Sequence, residues 1–371
     1  MRVAALLLAA LALVAWGQVD ELNVDNPAIQ YTTRPVADPV AELNRKVLAG
    51  KLQLRFDDQR GYLPAILEAL DIPVESQMAV FSKTSVQSMR ISPQHPRAVY
   101  FNDSVAVGWV PRGTIELTAL DPRQGVVFYS VDQRKWTTEG GRSQIFQRRT
   151  DCLHCHITES TGGVPGLLAR SVFTGPDGTP MRIPRGIDTD LRTPFEKLWG
   201  GWYVSGESPA HHLGAVEPQY DPKTYPSPGS DIVALLVFQH QRRVTNLLVE
   251  AGWRARVGSS KLAETIHELG DALAFADESP LPGKVRGSSD FTENFEARGP
   301  LRRFDLERRL MRDPVSYMIY SPAFDALPPE VRDRVYRRIW AVLNERTSGE
   351  DRRAVSAILR ETKHGLPEYF R

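Results

Sequence analysis

Between Met78 and Gln133 the chain alternates short runs of β-branched and aromatic residues with turn signals. The runs are Ala79-Val80-Phe81, Ala98 to Phe101, Val105 to Val110, Thr114 to Leu120 and Val126 to Val131. Pro93 to Pro96, Asn102-Asp103, Pro111-Arg112-Gly113 and Asp121 to Gly125 punctuate them. Apolar runs of this length between Pro, Gly, Asn and Asp clusters predict an antiparallel β-meander of about five strands. The period changes after the middle of the chain. Val233, Val237, Val244, Leu248 and Ala251 recur at helical spacing, predicting a long helix over 230–251, with Ser230 as N-cap, Asp231 in its first turn and Gly252 as its stop.

Shorter signals fill in the remainder. Ala41 to Leu48 and Tyr62 to Leu70 predict two small helices after an extended arm. Ser279 to Pro300 is rich in Pro, Gly, Ser and Asp and predicts a long surface connection. Leu306 to Met311 opens as a helix. Val331, Val335, Ile339 and Leu343, followed by Val355, Ile358 and Leu359 beyond Ser348-Gly349, predict a terminal αα-hairpin. The expected fold class is α+β. Its expected segments are 1–17, an export signal; 18–77, an arm with short helices; 78–135, the meander; 136–278, the region of the chemical motif; and 279–371, a helical end.

Composition excludes some classes of function. With 42% hydrophobic and 25% charged residues the chain is that of an ordinary globular protein, and a net charge of +1 leaves no electrostatic footprint for nucleic acid. Met1-Arg2 precedes the apolar stretch Val3 to Ala15, which is short for a membrane span and reads as a secretory signal cleaved before Gln18. A membrane association is expected only if that segment stays uncleaved. The expected location is periplasmic or secreted, in a bacterium.

The chemistry centres on Cys152-Leu153-His154-Cys155-His156, which contains the only 2 cysteines of the chain. Cys-x-x-Cys-His is the spacing that attaches a c-type haem. Two thiols three positions apart can each form a thioether to one haem vinyl group, and the following imidazole becomes the proximal iron ligand. One motif implies one covalent haem c, held by Cys152, Cys155 and His156. A redox dithiol, a structural disulfide and half of a zinc site are the competing readings; zinc would need two more ligands, and only His154 and His156 lie close in sequence. The glycine-rich loop Thr161 to Gly166 follows, and a carbonyl near Pro165 is the expected partner of the proximal imidazole's other nitrogen. Arg170 is placed to meet a haem propionate. Tyr100, Phe101 and Trp109 of the meander are candidate haem-wall residues, as are Trp199, Trp202 and Tyr203 in the stretch Trp199 to Gly206. For the sixth iron position His240, on the apolar stripe of the long helix, is the first candidate and His212 the alternative; Met181 and Met89 are further possibilities, and an open position is another.

Phe81 to Gln87, Pro96 to Asp103, Val107 to Val110, Cys152 to His156, Gly163 to Gly166 with Arg170 to Val172, Trp199 to Gly206 and Tyr317 to Leu327 together resemble a family of exported bacterial mono-haem c-type cytochrome-like proteins without an assigned activity. The resemblance spans most of the chain beyond the signal. It implies haem attachment at the motif and lends support to His212 and His240, where that family also carries histidine. Where the family tends to have a histidine just before Asn246, this chain has Thr245, which counts against a metal site built from that pair. The expected function is electron transfer with a periplasmic redox partner protein. The alternative is a haem c enzyme, peroxidase-like or oxidising a small molecule, with an open or displaceable sixth position.

Overall fold

The computed structural model describes residues 22–134, 145–184 and 186–370; the predicted export signal lies outside the described residues. Two short helices come first, α1 (Pro39–Leu48) and α2 (Leu63–Ala69). Five strands follow, β1 (Met78–Val80), β2 (Arg97–Phe101), β3 (Val105–Trp109), β4 (Ile115–Asp121) and β5 (Gly125–Val131). These are the five predicted runs. The two-residue strand β6 (Gln147–Arg148) extends the sheet beyond β5, and β9 (Trp202–Tyr203) extends it beyond β1, giving the order β6-β5-β4-β3-β2-β1-β9. Between them come the one-turn helix α3 (Leu153–His156) and a small two-stranded ladder of β7 (Arg170–Ser171) and β8 (Ile187–Asp188). Every pairing in the large sheet is antiparallel, with registers such as Leu117 opposite Tyr129 and Ala79 opposite Tyr203.

Successive side chains on a strand point to opposite faces, so each strand serves two cores. Met78, Val80, Val99, Phe101, Phe128 and Trp202 face the long helix α4 (Ile232–Val257). Ala79, Tyr100, Val107, Trp109, Leu117, Tyr129 and Tyr203 face the other way, onto Val40 and Leu43 of α1 and Leu63 and Ile66 of α2. All seven residues of β5 are buried because both faces are covered.

α4 is longer than its sequence signals suggest. Asp231 rather than Ser230 is the N-cap, its carboxylate accepting from the N–H groups of Val233 at 2.8 Å and Ala234 at 3.3 Å. The hydroxyl of Ser230 instead accepts from the N–H of Ala79 at 2.9 Å, which ties the helix start to β1. Gly252 lies inside the helix, and Gly258, at φ 70°, supplies the left-handed stop.

The C-terminal half is helical: α5 (Leu262–Leu273), α6 (Phe291–Ala297), α7 (Pro322–Asp325), α8 (Pro329–Arg346) and α9 (Gly349–Thr362). α6 interrupts the predicted long connection: Phe291 and Phe295, one turn apart, bury themselves against Phe101 and Tyr317 while the polar residues around them face outward. Leu306 to Met311 forms a tight turn that bridges Phe304 and Met311, not a helix, because the carboxylate of Asp305 caps the N–H groups of Glu307 and Arg308 locally. α8 packs chiefly on α5 and only slightly on α9. No helix among the described residues is long and apolar enough to cross a membrane.

Candidate functional site

In the single turn of α3, the N–H of His156 donates to the carbonyl of Cys152 at 3.1 Å. Positions 152, 155 and 156 are therefore neighbours on one helical face, since residues three and four apart stack above one another. Both thiols are free; Cys155 is exposed and Cys152 half-buried, with burial, followed by the charge of Asp151, pushing its thiol above the usual range. Leu153 and Cys152 rest on the core cluster of the α4 face of the sheet. Arg149 fixes the entry to the turn, gripping Asp151 at 2.9 Å through Nε and reaching Ser130 of β5 at 3.2 Å through Nη1.

His156 is held from two sides. Its Nδ1 lies 2.9 Å from the carbonyl oxygen of Gly166, and its own carbonyl accepts from the N–H of Gly166 at 3.0 Å. A carbonyl only accepts, so Nδ1 carries the proton and Nε2 keeps a free lone pair, which is the tautomer a metal-bound imidazole needs. Phe128 sets the ring plane from the sheet, with ring centroids 4.7 Å apart. Burial is the largest influence on its basicity and lowers it, against the Gly166 carbonyl, so the imidazole is held neutral. Asn246 of α4 secures the loop in turn: its side chain accepts from Leu167 N–H at 2.8 Å and donates to Leu167 carbonyl at 3.0 Å.

Beside this imidazole the inner face of the sheet is not fully covered. Arg97, Ala106, Glu116 and Thr118 share that face and are half-buried, whereas Leu117 and Ala119, which point the other way, are buried. Gly108 sits between them without a Cβ. The Arg97 guanidinium crosses that strand, a Cβ on Gly108 falling 2.2 Å from it, and reaches Glu116 at 2.7 Å. Both charges lie within electrostatic range of His156, as does Arg170. Arg170 pairs with Asp188 at 2.8 Å, and Asp188 also accepts from Ser160 at 2.7 Å, so the ladder β7–β8 is tied to the turn that follows the motif. Ser85 reaches Glu116 at 3.3 Å, and Lys83 N–H donates to Gly178 at 2.9 Å, so two loops border this patch. Those loops carry Val86, Met89, Phe173, Met181 and Ile183, and Ile187 follows in β8; these are six of the exposed large apolar side chains. Six large apolar side chains left in solvent on two neighbouring segments are a feature of interaction surfaces.

The remaining candidates divide by position. Trp202 lies on the motif's face of the sheet and donates its indole N–H to the Arg170 carbonyl at 2.7 Å. Tyr203, the next residue, points to the opposite face, where its hydroxyl donates to Pro93 at 3.0 Å and its ring contacts Phe81. Tyr100 and Trp109 are on that opposite face too, so none of these three walls the motif. Phe101 faces the motif's side but packs with Phe238 and Phe291. Trp199 is buried at φ 64° against Phe195 and His212.

His240 is almost fully buried and stacks on Phe275 with centroids 4.5 Å apart. Its Nδ1 lies 2.7 Å from Glu278 and its Nε2 2.7 Å from the Ser316 hydroxyl. With both nitrogens engaged it has no lone pair left over for iron. The carboxylate–imidazole–hydroxyl row has the order of a hydrolase triad, but Ser316 is fully buried and also accepts from the N–H of Met318 as a helix cap. It is a structural chain. His212 differs: it is buried edge-on to Trp199 at 4.9 Å, its Nδ1 has no hydrogen-bond partner, and burial brings its pKa down to about 4.

Arg97, Glu116 and Gly166 are the residues that sequence reasoning missed or placed only approximately. Gly166 had a signal in the glycine-rich loop beside the motif; Arg97 and Glu116, 19 positions apart, become neighbours only through the pairing of β2, β3 and β4. Among the described residues no group of three or more His, Cys, Asp and Glu side chains converges to hold a bare metal ion. No family model, characterised protein or solved structure matches the chain.

Proposed function

We propose that this chain is an exported mono-haem c-type protein of bacterial origin that transfers electrons. The observation that carries the reading is His156: one turn of helix puts it beside two free thiols, and the Gly166 carbonyl fixes the tautomer that leaves Nε2 free. Cys152 and Cys155 would hold the macrocycle and His156 its iron. The haem would supply a ferrous–ferric couple. The chain's own residues do the remaining work. Gly166 strengthens the imidazole as a donor, Phe128 sets its plane, and the half-buried Ala106 and Thr118 lie on the same face of the sheet. Arg170 and Arg97, the cations in electrostatic range of His156, would meet the haem propionates, and a periplasmic redox protein is the implied partner.

A second reading, a haem enzyme acting on peroxide or a small oxidisable molecule, is favoured by one observation. Arg97 and Glu116 form a half-buried ion pair in electrostatic range of His156. Such a pair could bind an oxidant or move a proton if it faces an open iron position.

The decisive measurement is made on full-length protein exported in a host with haem-attachment machinery. We expect a haem spectrum that survives acidic acetone, and its loss when both cysteines become alanine. Colourless protein, or pigment that acidic acetone extracts, ends the reading. A low-spin spectrum unchanged by carbon monoxide or peroxide selects electron transfer; a high-spin ferric form that reacts with them selects the enzyme.

A further inference from the structure

Behind the turn that follows the motif lies a polar cavity of about 360 Å³ between α4, α5 and the residues Glu159 to Gly162. Its deep wall carries Arg242, Arg243, Asn246, Glu250, Arg254 and Thr265, all buried except Glu250, which is half-buried. Most of these charges are matched. Arg243 forms a two-point pair with Asp277 at 2.7 Å, and Arg254 pairs with Glu250 at 2.7 Å. Asp190 is gripped by Arg192 through both oxygens, at 2.8 and 3.1 Å.

Arg242 is the exception. Only 3% of it is exposed, yet its nearest carboxylate oxygen, on the Asp190 already taken by Arg192, is 3.5 Å away. One amino group donates to the Thr189 carbonyl at 2.7 Å, and Nε has no partner at all. A buried guanidinium without a full counter-charge is costly, and the cavity beside it is polar and large enough for a small organic molecule. The outer rim is mixed, with Glu159, Glu264 and Glu268 against Arg192 and Lys261, so it exerts no general pull on anions. Selection then falls to the deep wall.

We propose that this cavity binds a small molecule through a carboxylate or phosphate group, with Arg242 as the principal cationic partner of that group. The three carboxylates of the mixed rim outnumber its two cations, so ligands whose outer end is neutral or cationic are favoured over those that are anionic at both ends. The site is separate from the haem reading and stands whether or not the motif holds a haem.

The test is calorimetric titration of the full-length protein with inorganic phosphate, succinate and β-alanine. Saturable binding of at least one is expected, and comparison of phosphate with the two carboxylates identifies the headgroup. Arg242→Met should weaken that binding roughly 10- to 100-fold, the range for losing a charge-assisted hydrogen bond. No saturation by any probe up to about 10 mM, which is weaker than the millimolar affinity of a minimal site, overturns the proposal, as does a folded Arg242→Met protein that binds like the parent. If Arg242→Met fails to fold, Glu250→Gln decides. Removing that carboxylate takes a negative charge from the cavity wall and should tighten binding of an anion severalfold, whereas unchanged or weaker binding refutes the site.

Discussion

Gly166 does two jobs that conflict with any larger side chain. Its carbonyl orients His156, and a Cβ at that position would fall 2.6 Å from the Asn246 Oδ1 and 2.8 Å from Thr161 Cβ. Gly166→Ala must therefore push the loop away from α4 or from the motif, at a cost of about 1–3 kcal/mol. With haem attached, the covalent bonds should survive while the Nδ1 hydrogen bond weakens; the less basic imidazole would raise the midpoint potential, which redox titration reads. His212 allows a separate acid test. Its pKa of about 4 in the folded protein lies below the ordinary 6.5, so it stays neutral in the native state where the unfolded chain takes up a proton. Stability is full above about pH 6.5 and falls as pH drops towards 4. Between those limits the parent should lose roughly 2–3 kcal/mol more than His212→Phe in urea titrations, and equal losses would show that the ring is solvated. The same variant reports on iron, since an unchanged spectrum removes His212 as a ligand. At this scale the motif and its loop were readable in the sequence because the chemistry is local. The two partners of His240 were not, since Glu278 and Ser316 lie 38 and 76 positions away.

At the level of elements, the strands were legible and their faces were not. A sheet covered on both sides shows apolar residues at both parities, so β5 reads Val-Val-Phe-Tyr without saying which residues meet the motif. Register then decided it, and the aromatic candidates Tyr100, Trp109 and Tyr203 fell on the far face. The end of α4 departs from its sequence signal for a different reason. Gly252 has the composition of a stop, but a helix propagates through glycine when tertiary packing supports it, and the left-handed turn comes at Gly258. Gly252 is thus a pure cost to the helix. A Cβ there meets nothing nearer than Leu327 Cδ2 at 3.8 Å, an ordinary contact. Gly252→Ala should therefore stabilise the protein by about 0.5–1 kcal/mol in denaturant titrations, and destabilisation would mean that α4 bends at this point.

Across the whole molecule, α4 ties the motif to the C-terminal helices. Asn246 clamps the loop that orients His156, and two turns earlier His240 joins Glu278, beyond α5, to Ser316. These are different jobs on one helix, and a single substitution separates them. His240→Ala removes a ring stacked on Phe275 and leaves a largely buried carboxylate and a hydroxyl facing a void. The expected loss is roughly 2–4 kcal/mol, combining the cavity with unsatisfied polar groups. With haem attached, its spectrum should not move, because both imidazole nitrogens are occupied in the native fold. Purified variant protein answers both parts, by urea titration and by its absorption in the two oxidation states. A change from low to high spin with little loss of stability would mean that His240 leaves Glu278 and Ser316 to reach iron. The haem would then lie against α4, and the patch around Arg97 and Glu116 would face solvent or a partner instead.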